Sequence, residues 1–190
     1  MIPYKDPSKV RITQIYGIKN PNQQYDSGVH PGLDMVSDGD PTLVAIWGGK
    51  VIRSKMFGAW GNYTVIEQED GLFCIYAHKA SRFAKVGDVV KEGQEIGTEG
   101  STGNVTGPHL HIELQKAYYN PFSHINIAAY LGIKNEKGPI QFLDPFENDR
   151  KWAIEKGISD GSFPDFPITR KENWAMLHRL YNLIKNEQKK

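Results

Sequence analysis

The stretch GNVTGPHLHIELQ, residues 103–115, places two histidines two positions apart at the start of an alternating pattern. Leucine or isoleucine occupies every second position from 110 to 114, which is typical of a β-strand with one buried face. His109 and His111 therefore leave the strand on the same, polar face. The pattern alone leaves two interpretations open, because this face carries either a metal site or side chains exposed to solvent.

The sequence on the N-terminal side of this strand continues the β-type pattern. From Arg11 to about Leu114, short apolar runs are separated by Gly, Pro, Asn and Asp, with no convincing helical period. This spacing predicts a mainly β domain, an antiparallel sandwich or barrel-like structure, over residues 1–118. Residues 119–148 are predicted to form a connecting region with one short helix near residues 125–131.

The chain changes character after Asn148. Two helical patterns follow, and Thr169 with Glu172 forms a capping box at the start of the second one. Residues 149–190 are therefore predicted to form a small helical module. Residues 150–190 hold nine Lys or Arg against five Asp or Glu, a formal charge of +4 in a chain whose total is +1.

Composition limits the classes of protein to consider. The chain has 190 residues, 39% of them hydrophobic, and no apolar run approaches the roughly 18 residues of a membrane span, so no membrane insertion is expected. The even charge balance argues against nucleic acid as a partner. The start, MIPYKDPSKVRITQIYG, has no basic segment followed by an apolar one, so no secretory signal is expected. The single cysteine, Cys74, lies in an apolar strand and is expected to be a buried thiol rather than a nucleophile.

A second group of metal-binding residue types lies upstream, in VHPGLDMV at residues 29–36. His30 and Asp34 are four residues apart, but the Pro-Gly pair between them excludes a regular helix, so they must converge across a strand or turn. Two imidazoles and a carboxylate are ligands that zinc prefers, and three of them leave a fourth position open for water. At this level either His109 or His111 completes the set.

His78 ends the apolar run CIYAHK at residues 74–79, two positions after Tyr76, and is therefore expected on the same strand face. Considered alone, it is an ordinary histidine near a strand end. However, four of the six histidines lie in β-type segments beside glycine-rich turns. The other two, His124 and His178, are expected to be surface or packing residues.

Together these segments resemble the lysostaphin-type zinc metallopeptidases, which cut peptidoglycan cross-bridges. The resemblance rests on H-x-x-x-D at residues 30–34, Y-A-H at residues 76–78, a glycine-punctuated run from residue 86, and T-G-P-H-L-H-I-E at residues 106–113. These features occur in the family's order and cover roughly residues 10–115. The resemblance implies an all-β peptidase domain.

The resemblance also implies roles for individual residues. His30, Asp34 and His111 would hold one zinc ion per chain, while His78 and His109 would be the catalytic residues that face water and substrate. The implied activity is zinc-dependent hydrolysis of peptide bonds in peptidoglycan stem peptides or cross-bridges. Which of the two catalytic histidines is the general base stays open.

Two features near this constellation have alternative interpretations. Glu113 either orients His111 from behind or is a solvated carboxylate at the rim. The glycine-rich residues 58–62 and 97–107 form either the walls of a narrow groove for an extended peptide or ordinary hairpin turns. In the groove interpretation, Asn62 and Tyr76 are predicted to contact the substrate.

The C-terminal module is similar to one repeat of the S-layer homology type, through W-A, G-I-S-D-G and P-I-T-R between residues 152 and 170. This similarity implies binding to an anionic secondary cell-wall polymer, which suits the positive charge of the module. The alternative is a helix pair that only braces the catalytic domain. Because such repeats bury their apolar faces against neighbouring repeats, a single copy favours self-association of the chain through this module.

The layout resembles a phage endolysin, made in the cytoplasm and released to the cell wall during lysis. The alternative function is a catalytically inactive wall-binding or regulatory module of the same fold, in which zinc ligands have been lost. All three presumptive ligands and both accessory histidines are present in this sequence. Their presence favours the enzyme.

Overall fold

The computed structural model describes residues 1–21 and 25–143, so the helical module predicted for residues 149–190 and His178 lie outside the described residues. The described part is mainly antiparallel β-structure, which confirms the predicted fold class. It contains no helix with the length and hydropathy needed to cross a bilayer. The elements are β1 (Val10–Gln14), β2 (Gly32–Ser37), β3 (Thr42–Val44), β4 (Gly49–Met56), β5 (Asn62–Glu67), β6 (Phe73–Ala77), β7 (Ser81–Arg82), β8 (Val89–Val90), β9 (Glu95–Thr98), β10 (Leu110–Gln115), β11 (His124–Ile125), α1 (Ile127–Leu131), β12 (Gly138–Pro139) and the 3-10 turns Pro7–Lys9 and Gly58–Trp60.

Two antiparallel sheets form the described part of the chain. The larger has the strand order β12-β1-β2-β10-β6-β5-β4-β8, and β11 also pairs with β10. The smaller contains β3, β9 and β7. The large sheet places β10 between β2 and β6, so the strand quoted at the outset lies at its centre.

The central strand β10 is buried on both faces. Its apolar residues at 110, 112 and 114 belong to the main hydrophobic core. On the opposite face His111, Glu113 and Gln115 are only 6%, 2% and 2% exposed. The expectation of a half-buried strand is therefore wrong, because the polar face is covered by Trp60, which bonds to Glu113, and by the segment around Tyr119, which bonds to Gln115.

Tyr76 and Cys74 face the main core from β6. Tyr76 is fully buried, and its hydroxyl accepts a hydrogen bond of 2.9 Å from the backbone N–H of Ile46. The expectation that Tyr76 contacts substrate is thus wrong, because this side chain is not accessible from solvent. Cys74 is buried, which confirms the expected buried thiol, and burial raises the pKa of this thiol to about 12.

The segment after residue 118 joins the large sheet. Strand β11 pairs with β10, and β12 pairs with β1. The intervening α1 confirms the helix predicted near residues 125–131; Asn126 caps it by accepting from the N–H groups of Ala128 and Ala129.

Lys79 is a fully buried cation that joins the two sheets. Its Nζ donates to Thr64 Oγ1 in β5 of the large sheet and to Ile96 O in β9 of the small one, the latter at 3.0 Å. It has no ion-pair partner in the described ranges of the chain. Burial lowers the pKa of Lys79 to about 7, and Arg82 adds to the effect.

We expect this buried amine to make stability depend on pH. Because the pKa of Lys79 is about 7 in the folded chain and ordinarily 10.5, the unfolded chain binds more protons between these values. The stability of the native protein relative to a Lys79→Met variant should therefore rise with pH, by roughly 1 to 3 kcal/mol from about pH 7 to about pH 9.5. Urea unfolding of both proteins at the two pH values measures this difference.

The matched control is Lys91→Met, which removes an exposed amine. Its unfolding free energy should follow that of the native protein at both pH values. A difference between native protein and Lys79→Met that stays constant with pH would show that Lys79 keeps an ordinary pKa.

Candidate metal centre

Three of the side chains singled out in the sequence converge on one point. Asp34 in β2 lies directly opposite His111 in β10, so both leave the sheet on the same face. His30 precedes β2 and reaches the same position. The separations are 2.7 Å from His111 Nδ1 to Asp34 Oδ1, 3.0 Å from His111 Nδ1 to His30 Nε2, and 3.2 Å from His30 Nε2 to Asp34 Oδ1.

These separations fit the coordination of a small divalent cation. Ligand atoms about 2.0 to 2.1 Å from zinc, arranged as a tetrahedron, lie roughly 3.3 Å from one another. Two of the three observed distances are close to that value and the third is somewhat shorter. Two imidazole nitrogens and one carboxylate oxygen are also the donor set that zinc takes in sites with an open fourth position.

A close approach of β2 to β10 makes this convergence possible. Gly32 sits between the two upstream ligands and faces β10, where an added Cβ would lie 2.3 Å from Ile112 O and 3.0 Å from His111 Cε1. Only glycine fits at this position without moving one of the strands. The Pro-Gly pair of the sequence therefore serves packing as well as the turn.

Each histidine ligand has its outer nitrogen bound to an acceptor. His30 Nδ1 lies 2.9 Å from Ile15 O, a carbonyl that can only accept, so Nδ1 carries the hydrogen and Nε2 faces the centre. His111 Nε2 lies 2.9 Å from Glu113 Oε1, which leaves Nδ1 for the centre. These acceptors orient both rings toward the same point.

Glu113 is the orienting partner of His111, not a rim carboxylate. It is 2% exposed, and its Oε1 also accepts a 3.1 Å hydrogen bond from Trp60 Nε1. Its Oε2 accepts from Gln115 Nε2 at 2.7 Å. Burial alone would raise the pKa of Glu113, but hydrogen bonds from His111, Gln115 and Trp60 lower it. This carboxylate therefore stays ionised.

The charges at the centre favour a cation. Burial would raise the pKa of Asp34, but the hydrogen bond with His111 and the neighbouring His30 hold it well below its usual range. Burial opposes protonation of His111, yet Asp34 and Glu113 raise its pKa to about 10. A proton on His111 Nδ1 therefore takes the place that a metal ion would take, and metal binding should release it.

His78 leaves the sheet through a strained backbone. Strand β6 ends at Ala77, and His78 has a φ of +62°, a left-handed value that non-glycine residues rarely adopt. This turn directs its ring toward His109, with centroids 4.7 Å apart, whereas Tyr76 points into the core. The expectation that the two residues share a strand face is wrong for this reason.

The ring of His78 is held by a backbone carbonyl. Its Nδ1 lies 2.9 Å from Thr102 O, which leaves Nε2 without this hydrogen. Burial lowers the pKa of His78 to about 4, with His111 contributing in the same direction. The imidazole is therefore neutral at neutral pH.

The geometry distinguishes the two histidines that spacing alone left equivalent. His109 Nδ1 lies 2.9 Å from Gly107 O, so its Nε2 faces inward. That atom is 3.8 Å from Asp34 Oδ1, against 2.7 Å for His111 Nδ1. His109 therefore borders the centre, while His111 belongs to the group of three that can hold a metal.

Thr102 is a positioning residue for which the sequence contains no signal. Besides its carbonyl, which holds His78, its Oγ1 accepts from the N–H of Asn62 at 2.8 Å and donates to Lys79 O at 3.0 Å. The backbones of Gly61 and Gly103 meet beside it at distances that a Cβ would obstruct. The two glycine-rich segments thus support the His78 turn. A substrate contact by the Asn62 side chain stays a prediction.

A cavity of about 410 Å³ lies next to the centre. It is lined by residues 57–60, by residues 25–27, and by Tyr119 and Pro121. Pro31, which follows a metal ligand, and Glu113 connect it to the centre. The predicted groove wall at residues 58–62 is therefore present in part, whereas residues 97–107 do not line this cavity.

We expect Glu113→Gln to weaken metal binding. The substitution removes the negative charge that holds the outer hydrogen of His111 and places an N–H₂ group against Gln115. Loss of such an orienting carboxylate typically lowers metal affinity about 10- to 100-fold. Competition for zinc with a chromophoric chelator measures the change.

Glu95→Gln is the matched control, because Glu95 is half-exposed and pairs with Lys5 on the surface. Its zinc affinity should equal that of the native protein. Equal affinities of Glu113→Gln and Glu95→Gln for zinc would contradict the orienting role.

Comparison with known proteins identifies relatives of this chain. Residues 28–123 match the model of peptidase family M23. Peptidoglycan DD-endopeptidase ShyC of Vibrio cholerae is 42% identical over 87 residues, which cover 44% of this chain and 19% of that protein. Lysostaphin of Staphylococcus staphylolyticus is 36% identical over 94 residues, which cover 46% of this chain and 18% of that protein.

Solved structures show the same relationship. The catalytic domain of lysostaphin from Staphylococcus simulans matches with a TM-score of 0.58 and 30% sequence identity, over 63% of this chain and 90% of that domain. The chain spans about one fifth of the length of the two curated relatives. The family match covers half of the chain and includes both groups of histidines. The chain therefore belongs to peptidase family M23 and contains a lysostaphin-like catalytic domain.

Proposed function

We propose that this protein is a zinc-dependent endopeptidase that hydrolyses peptide bonds in peptidoglycan. The observation that carries the proposal is the convergence of His30, Asp34 and His111 beside two further imidazoles whose inner nitrogens face the same space. The names of the relatives, a peptidoglycan DD-endopeptidase and lysostaphin, support cell-wall peptide as the substrate. Stem peptides and cross-bridges are both included in this proposal.

Zinc, when bound, would supply Lewis-acid chemistry that activates water and polarises the scissile carbonyl. The chain itself supplies the proton transfers. His78 presents a neutral Nε2, because Thr102 O holds the hydrogen of the other nitrogen. Such a nitrogen accepts the proton of the attacking water and returns it to the leaving amine.

His109 has a different role in this proposal. Its Nε2 lies 3.8 Å from Asp34 Oδ1, and its ring lies against that of His78. Because Gly107 O binds the Nδ1 hydrogen, Nε2 of His109 donates only when the ring carries a second proton. In that imidazolium form it would donate a hydrogen bond to the oxygen that becomes negative as the carbonyl is attacked. His78 is then the general base and His109 the stabilising donor.

An inactive wall-binding or regulatory module is the alternative. That alternative predicts degraded geometry at the centre, since nothing would maintain it. Here the three ligands, two of them buried and Asp34 partly buried, and the rings of His78 and His109 retain hydrogen-bond or ion-pair contacts, and His78 keeps a strained φ of +62°. Such strain is typical of functional sites. The enzyme is the better account of this geometry.

Residues 149–190 extend the proposal beyond the described part of the chain. Binding of an anionic secondary cell-wall polymer, self-association through this module and action after lysis, as in a phage endolysin, all stay predictions from the sequence. Cell-wall pull-down and light scattering of the full chain and of a version ending near residue 148 test the first two.

We expect substitutions of the ligand histidines and of the catalytic histidines to have different effects on bound zinc. His30→Ala and His111→Ala should lose bound zinc and all activity. His109→Ala and His78→Ala should retain zinc close to one ion per chain and lose about 10²- to 10⁴-fold in kcat. Metal analysis combined with release of muropeptides from defined cell walls measures both properties.

Two results would contradict this assignment. Full activity of a protein shown to be free of metal would exclude the zinc-dependent mechanism. Loss of zinc from His109→Ala as complete as that from His111→Ala would exclude the proposed division between ligand and catalytic histidine.

Activity should persist to acid pH if His78 is the base. A base works when unprotonated, so the rate falls as pH decreases through its pKa, which for His78 is about 4. We therefore expect kcat/KM near pH 5.5 to stay within about twofold of its value at neutral pH. Zinc content determined at each pH separates titration of the base from loss of metal. A zinc-loaded His109→Gln variant whose residual activity declines with an apparent pKa of about 6.5 would contradict His78 as the base.

A further inference from the structure

The cavity beside the metal centre has an acidic and aromatic lining. Its only charged lining residues in the described part of the chain are Asp26 and Glu113, both carboxylates. Glu113 is already bound to His111, Trp60 and Gln115. Asp26 is exposed and has no ion-pair partner among the described residues. One unpaired negative charge therefore faces this cavity.

Aromatic rings form much of the remaining lining. Phe57, Trp60 and Tyr119 all line the cavity, and Tyr119 is 62% exposed. The rings of Trp60 and Tyr119 are 6.2 Å apart and nearly perpendicular. Exposed aromatic faces beside a carboxylate attract a cation, because the π-face of a ring carries partial negative charge.

The backbone of Tyr119 points independently to a role at this cavity. The described residues contain two non-glycine positions with positive φ, His78 at +62° and Tyr119 at +66°. Such a conformation costs free energy and tends to persist where function requires it. His78 adjoins the metal centre, and Tyr119 forms the rim of the cavity.

The conformation of Tyr119 is coupled to the metal centre by hydrogen bonds. Its N–H donates to Gln115 Oε1 at 3.2 Å, and Gln115 Nε2 donates to Glu113 Oε2 at 2.7 Å. Glu113 in turn holds His111. The ring at the cavity rim is thus positioned by the same residues that orient a metal ligand.

We propose that this cavity binds an ammonium group of the substrate, next to the scissile bond, through Asp26 and the ring of Tyr119. The proposal rests on the proposed peptidase function and specifies the substrate further. An anionic group would meet two carboxylates, and a purely apolar group would leave Asp26 unpaired. The ammonium belongs either to the side chain of a diamino acid or to the free α-amine of a branch peptide.

Hydrolysis of chemically acetylated cell walls tests the proposal, because acetylation neutralises free amines without removing peptide bonds. For the native protein, kcat/KM should fall about 5- to 20-fold on acetylation, the combined scale of an exposed ion pair and a cation–π contact. Asp26→Asn should lower kcat/KM about 3- to 5-fold on untreated walls and respond less to acetylation. Glu92→Gln, which removes an exposed charge outside this cavity, should behave as the native protein.

Tyr119→Gly separates a ligand-binding role of this side chain from a structural one. Glycine tolerates the positive φ, so the melting temperature should stay the same or rise, whereas KM on untreated walls should rise about 3- to 10-fold. Phe122→Ala is the matched control, since this aromatic side chain is 77% exposed and does not line the cavity. Its KM should equal that of the native protein.

A binding measurement keeps the test independent of hydrolysis. In NMR titrations of the full chain, lysinamide blocked at its α-amine should shift the signals of residues 25–27, 57–60 and 119, and glycinamide tests the α-amine source in the same way. Acetylation of the remaining amine in either probe should abolish the shifts, as should Asp26→Asn. Equal effects of charged and acetylated probes, or acetylation effects that Asp26→Asn does not reduce, would overturn the proposal. Absence of hydrolysis with probe binding intact would instead overturn the proposed function.

Discussion

The hydrogen bonds behind the imidazoles are the constraint on which the centre depends. A neutral imidazole has one nitrogen with a hydrogen and one with a lone pair, and rotation of the ring exchanges their positions. In this protein Ile15 O, Thr102 O, Gly107 O and Glu113 Oε1 each bind the outer nitrogen of one histidine. The inner nitrogens of the four rings are thereby directed at one small volume. Without these acceptors, the same four imidazoles would still converge, but their rings could rotate and would not present the same nitrogen to the centre.

The fold provides this arrangement through one fully buried central strand. The alternation in residues 110–114 correctly indicated a strand and correctly placed His109 and His111 on a common face. It could not indicate that the polar face is also buried, because the pattern shows which side chains are polar but not which other segments pack on them. The cover comes from Trp60, which is remote in sequence from the strand, and from the segment around Tyr119, which follows the strand and bonds back to Gln115. The polar alternation here reflects a buried site, whereas in an edge strand the same pattern would reflect solvent.

The sequence predicted other residues of the centre to different degrees. His30 and Asp34 were identified because both are metal-ligand residue types and because the Pro-Gly pair between them excludes a regular helix. Tyr76 was assigned to the site because period 2 places it on the same face as His78, but the left-handed φ of His78 turns that ring toward His109 while Tyr76 stays in the core. The carbonyl groups that hold three histidines have no sequence signature, since every residue carries one. Lys79 was likewise unexpected, because its burial depends on two polar partners in separate sheets.

Three of the four acceptors are backbone groups and one is a side chain, and this difference affects which mutations the centre tolerates. Three belong to the main chain, so substitutions at positions 15, 102 and 107 that preserve the local backbone also preserve the acceptors. Insertions or deletions in those loops would shift the carbonyls and release the rings they hold. Homologous proteins should therefore vary in the side chains at positions 15 and 107 while conserving loop length, whereas position 102 should keep a hydroxyl, because Thr102 Oγ1 also bonds to Asn62 and Lys79. Glu113 is the exception, because a single nucleotide change can remove its acceptor while leaving the backbone in place.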